Sequence, residues 1–126
     1  MREMDALEVK EVHEKYAMIK IFEPIGRHSD GDKLKMLIEF AKSQKLEGFL
    51  FDVTSFKCDI PKGVLYHFAH TDLYQVGFDR RLQIAMLHKP EDKSHDFFVL
   101  VCHNAGYHIK AFHSTAQAQR WLTKQR

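Results

Sequence analysis

The chain has 126 residues, 44% hydrophobic and 29% charged, with a net charge of +2. That length allows one domain, expected to span residues 1–126, with enough chain to bury a core without disulfide or metal staples. The composition excludes a disordered chain, and the near-balance of charge gives no support for a nucleic-acid partner.

Leu7–Val12 and residues 16–23 are rich in β-branched and aromatic side chains and read as a hairpin around His13, Glu14 and Lys15. Ala17, Ile19 and Ile21 alternate with Met18, Lys20 and Phe22, and Pro24 and Gly26 end the second strand. A helix is expected from Ser29, which stands three residues before Asp32 in a Ser-x-x-acid capping pattern. Leu34, Leu37, Ile38 and Ala41 then fall at helical spacing and make its apolar stripe. Gly48 closes the loop that follows, and residues 49–53 read as a strand buried on both faces.

Pro61 suits the first turn of a second helix, striped by Val64, Leu65, Phe68 and Ala69. Residues 82–87 read as the next buried strand, stopped by Pro90. Residues 97–102 have high β propensity, yet Phe97, Phe98, Val101 and Cys102 are spaced as on a helix. A helix within 92–104, closed by a left-handed Gly106, also supplies the crossover that parallel neighbours need. His108–Phe112 is the last strand. Ser114 with Gln117 then caps a terminal helix carrying Ala118, Trp121 and Leu122. The order β-β-α-β-α-β-α-β-α predicts an α/β domain in two or three layers. Its mostly parallel open sheet should have about five strands, an antiparallel N-terminal edge hairpin and about four helices.

The longest purely apolar run, residues 97–102, is far short of the roughly 20 residues that span a bilayer. Charges throughout the first residues leave no stretch for a secretory leader, so a cytoplasmic location is expected, with Cys58 and Cys102 as reduced core thiols.

In an open parallel sheet, ligands favour the carboxyl ends of the strands, here residues 24–30, 52–59, 88–95 and 113–115. No Gly-rich phosphate loop and no GxSxG elbow occurs. Ser94, His95 and Asp96 are the residue types of a hydrolytic triad, but consecutive positions do not face one another. Ser94 or Asp92 capping a helix accounts for them, and no catalytic residue is assigned. Among nine histidines, His67 and His70 lack the glutamate and spacing of HExxH, while His103, His108 and His113 are five apart, with His108 and His113 on opposite faces of a strand. No metal and no cofactor is expected. His88 and His113 both end strands and can meet at the carboxyl edge, and Asp52, followed by Thr54 and Ser55, suits a polar ligand or a turn. Asp52, Thr54, Ser55, His88 and His113 are therefore the candidate ligand or partner site. The apolar excess of Tyr66, Phe68, Leu73 and Tyr74 suits a partner face or the rim of an apolar ligand site.

The pattern resembles the SpoIIAA-like, or STAS-like, domains (anti-sigma-factor antagonists and the sulfate-transporter domain), nearest to their small stand-alone bacterial members. The residues that carry the resemblance are the Leu34, Leu37, Ile38 helix, the strand ending in Asp52, the run Arg81-Leu82-Gln83-Ile84-Ala85-Met86-Leu87, and Ile109-Lys110-Ala111-Phe112 followed by Ala118-x-x-Trp121-Leu122. The resemblance implies a non-enzymatic regulatory module acting through protein–protein contacts. It also implies a phosphorylation switch in the segment Asp52-Val53-Thr54-Ser55-Phe56-Lys57, with Thr54 and Ser55 as the nearest hydroxyls, although the glycine of the family's loop is absent. A phosphate there would add about −1.5 to −2 charges. The fold also resembles the larger CRAL-TRIO lipid-binding domains, which implies as an alternative a small apolar or lipid-like ligand at the strand carboxyl ends. A homodimer through an exposed edge strand is a further expectation.

Overall fold

The computed structural model describes residues 6–124. The expectations for residues 1–5 and 125–126, including the leader-free start, lie outside them. Five strands, β1 (Leu7–Val12), β2 (Tyr16–Ile21), β3 (Gly48–Asp52), β4 (Gln83–Leu87) and β5 (His108–Phe112), form one sheet in sequential order. β1 and β2 pair antiparallel, and every later pair is parallel. The register of β1 shifts between Val9 and Glu11, a bulge in the edge strand.

Four helices accompany the sheet. α1 is Gly31–Gln44. α2 begins as Lys62–His67, passes through a π turn at Phe68–Asp72 and ends as Leu73–Gln75. α3 is Asp96–Asn104 and α4 is Thr115–Thr123. Strands laid down in sequential order with crossovers of one hand put α1, α2 and α3 on the same face. Alternate side chains of the strands meet them there: Ile19, Phe49, Phe51, Ile84, Met86 and Ile109 pack with Leu34, Leu37, Leu65, Phe68, Val101 and Cys102. On the other face Tyr16, Leu50, Ala85, Leu87 and Phe112 pack with Ala118 and Leu122 of α4. The domain thus has three layers, the third made by the terminal helix alone.

The local differences from expectation have physical causes. Ser29 does not cap α1; it lies in a short 3-10 turn, His28–Asp30, and the helix starts at Gly31. Asp30 holds the cap position of α1, but its side chain bonds no amide of that helix; its Oδ2 accepts instead from the preceding backbone N–H groups of Gly26 and Arg27, at 2.9 and 3.0 Å, and closes the 3-10 turn ahead of α1. Pro61 precedes the first helical residue of α2, at the cap position, with extended ψ. Val64 is exposed, unlike Leu65, Phe68 and Ala69 in the same stripe. α3 starts after a turn in which Asp92 Oδ1 accepts from Ser94 N–H at 2.9 Å, so that His95, not Ser94 or Asp92, is the cap residue. Gly48 opens β3. A Cβ there would run into the Gln83 carbonyl oxygen and stand 3.1 Å from Leu122, so glycine permits β3, β4 and α4 to approach closely. Gly106 takes φ +98° after α3, as a left-handed cap, and Ser114 Oγ accepts from Gln117 N–H at 3.3 Å at the start of α4.

Candidate functional site

The sheet ladder runs one residue past the strand ends. Val53 N–H donates to Leu87 O at 2.9 Å, and His88 N–H to Phe112 O at 3.0 Å. This carries the alternation of faces into the loops and divides the five candidate residues. Asp52 follows the parity of Leu50, on the α4 side, where its Oδ2 lies 3.5 Å from Lys20 Nζ. Its Oδ1 accepts from Thr54 N–H and Thr54 Oγ at 2.9 and 2.7 Å. Asp52 and Thr54 thereby close a local turn. The Ser55 hydroxyl donates to Ile21 O at 3.3 Å.

His88 follows the parity of Ile84 and Met86, on the α1–α3 side, and is 4% exposed. Its ring meets that of His113 edge to face at 4.8 Å, as the strand-end positions lead one to expect. His88 Nδ1 donates to Lys89 O at 2.8 Å, so Nδ1 carries a proton.

A third histidine joins this pair. His95 is 2% exposed, and its ring centroid lies 6.1 Å from that of His88. His95 Nε2 donates to Phe56 O at 3.1 Å and lies 3.4 Å from Asp92 Oδ2. Next to it Ser94 Oγ accepts from Cys58 N–H at 2.9 Å. Ser94, through its hydroxyl and backbone N–H, holds the Asp92 carboxyl below the ordinary carboxylate range against the opposing effect of burial, helped by His95 and Lys57. These bonds tie the loop after β3 to the start of α3. His95 was legible in the spacing: His95, Phe98 and Cys102 stand at 0, 3 and 7, one face of the helix, and all three line the core side.

Beneath this network lies a cavity of about 70 Å³ between the sheet and α1–α3. At the carboxyl end it is lined by Pro24, Ile25, Val53, Phe56, Cys58 and His95, and further along by Leu37, Phe68, Ile84, Cys102, Tyr107 and Ile109. Phe68 and Leu73 of α2 line it, whereas Tyr66 and Tyr74 are 57% and 67% exposed. The apolar excess of that helix therefore divides between an inner wall and an outer surface. Burial pushes the Cys102 thiol up to about 12 and also raises that of Cys58. Both are free thiols.

α2 holds a second buried polar group. Asp72 is 5% exposed, and its Oδ1 lies 3.1 Å from His28 Nδ1 and 3.5 Å from His67 Nε2. It stands in the apolar stripe Leu65, Phe68, Ala69, Asp72, within the π turn. Among the described residues, no group of three or more His, Cys, Asp or Glu is placed to hold a metal ion. Nor is any of the described helices long and apolar enough to cross a membrane. Comparison with known proteins gives no matching family model and no significant match to a curated protein or a solved structure.

Proposed function

We propose that this protein is a non-catalytic binding domain that holds a small apolar ligand between the sheet and α1–α3. The observation that carries the reading is the cavity of about 70 Å³, walled almost wholly by apolar side chains. Protein interiors are close-packed, and atoms facing a void lose their dispersion partners. A ligand that fills the space restores those contacts without burying any polar group of its own. The histidine and serine network at the carboxyl edge supports the reading as the frame that holds the loops around one end of the cavity. A STAS-like regulatory role fits such a domain, with ligand occupancy as its signal. The test is native mass spectrometry of protein purified without detergent, followed by melting in the presence of cyclopentane. The reading expects a saturable rise in Tm that Val53→Phe, which fills the cavity, abolishes. An empty protein whose Tm does not respond overturns it.

A second reading has its own observation. Val64, Tyr66, Tyr74 and Leu100 are exposed on α2 and α3, and aromatic side chains of this kind anchor protein contacts. A protein partner that binds there should lose the domain when Tyr66→Ser and Tyr74→Ser are combined, with the fold intact by circular dichroism. A homodimer through β1 is less favoured, since the bulge and the exposed charges of Glu8, Lys10 and Glu11 blunt that edge. Sedimentation as a monomer removes it.

A further inference from the structure

The wall of the cavity is uneven. Of the residues that line it, Pro24, Ile25, Phe56, Cys58 and Phe98 are partly exposed, and every other is buried. All five stand at the carboxyl end of the sheet, so a single layer of residues separates the cavity from solvent there. Two loops contribute to that layer. The loop after β2 is anchored: Asp30 Oδ2 accepts from the N–H groups of Gly26 and Arg27, and a Cβ on Gly26 would stand 2.6 Å from the Leu65 side chain. The loop after β3 is held in another way. Among the described residues, none from 54 to 60 makes a hydrogen bond from backbone to backbone. Side chains hold this stretch instead. The Asp52 carboxyl and the Ser55 hydroxyl fix its start. Further on, His95 Nε2 donates to Phe56 O at 3.1 Å, and Cys58 N–H donates to Ser94 Oγ at 2.9 Å. Phe56 and Cys58 are the two residues of the stretch that line the cavity. Segments held by few bonds open locally at low cost in free energy, and ligand-binding loops are drawn from them. The opposite end of the cavity is shut by Arg80, whose guanidinium covers the Tyr107 ring at 4.5 Å while its Nε donates to Ala105 O at 3.2 Å.

We propose that residues 54–60 are a strap over the mouth of the cavity, latched by Ser94 and His95, and that a small apolar ligand enters and leaves when these two latch bonds break. The inference rests on the ligand-binding reading above and adds to it the place of entry and the residues that control it. Because the strap is latched with or without ligand, a weaker latch speeds entry and exit together and leaves the affinity as it was.

The test follows the exchange of cyclopentane by relaxation dispersion of the Ile84 and Ile109 methyl signals, in the whole protein, in Ser94→Ala and in Arg80→Ala. Ser94 is partly exposed, so its truncation leaves the core intact. Arg80→Ala removes a contact at the opposite end and controls for a general loosening. The expected result is that Ser94→Ala raises the association and dissociation rates alike, roughly three- to tenfold, the effect of one neutral hydrogen bond, with Kd unchanged. Arg80→Ala should leave both rates as they are. If cyclopentane binds but Ser94→Ala changes neither rate, or Arg80→Ala speeds exchange as much, the strap is overturned while the cavity reading stands. A change in Kd carried by the dissociation rate alone would make Ser94 part of the binding site rather than a latch, and also overturns it. If cyclopentane binds none of the three proteins, the cavity reading falls and this inference with it.

Discussion

The two faces of the sheet are formed by the same strands and are filled in different ways. On one face α1, α2 and α3 bring leucine, phenylalanine and valine side chains against the strands, and a cavity remains among them. On the other, α4 alone lies against β3, β4 and β5, and none of its residues lines the cavity. The contact residues explain the contrast. Ala118 and Ala85 are fully buried, and Gly48 has no side chain to hold α4 away. Small residues let one helix settle onto a sheet, whereas three helices carrying bulky stripes support one another and leave space between. A void in a native core persists where closing it would force strained side chains elsewhere.

The largest effect that would break this contrast is a matched pair of truncations. Leu50→Ala on the α4 face should cost about 4–5 kcal/mol, near the upper end for a buried leucine. Leu37→Ala, whose side chain already faces the cavity, should cost about 2–3 kcal/mol, because it forfeits fewer contacts. Urea unfolding of both variants gives the comparison, and equal losses would mean that the two faces are equally well packed.

The next effect is alkaline. The folded Cys102 thiol is pushed by burial from 9.0 up to about 12. Below pH 9 both folded and unfolded states hold the proton, and its contribution to stability is complete. As pH rises toward 12, the unfolded thiol ionises first and about 4 kcal/mol is lost. Burial also raises Tyr107 and Cys58 on the same face, and Tyr16 on the α4 face, so all four act in the same direction. Stability measured from pH 8 to 11 should fall less steeply in Cys102→Ala than in Tyr16→Phe.

The smallest effect concerns volume. Val53→Leu extends into the cavity and should cost nothing or stabilise by about 0.5–1 kcal/mol. Ala118→Val, which adds methyl groups under α4, should cost about 1–3 kcal/mol. Thermal unfolding decides the sign of each, and a destabilising Val53→Leu would place the free volume elsewhere.

The architecture was readable from the sequence because periodicity and punctuation agree. Leu7–Val12 and His108–Phe112 have the bounds that their composition predicts, and the helical spacing within residues 97–102 outweighs their β propensity because β4 and β5 must be joined by a crossover. The approach of His88 to His113 was readable for the same reason: residues that follow adjacent parallel strands arrive at one edge. Asp52 was set beside them in the expected site, yet strand parity sends it to the opposite face. The cavity was not readable. Apolar stripes tell which side chains point inward, but not whether three of them together fill the space they enclose. His95 reads in the sequence as one of three consecutive triad residue types that cannot face one another, and Asp72 as an interruption of an apolar stripe, whereas here both sit inside and bind neighbouring groups.

The central claim is that the face covered by three helices holds a site for an apolar molecule and the face covered by one does not. Xenon is the most direct probe, since it enters apolar cavities and makes no hydrogen bonds. In methyl NMR spectra of the whole protein under increasing xenon pressure, Leu37, Ile84 and Ile109 should shift and saturate, while Leu50 and Leu122 stay in place. Shifts that never saturate, or that are equal on both faces, would contradict the account.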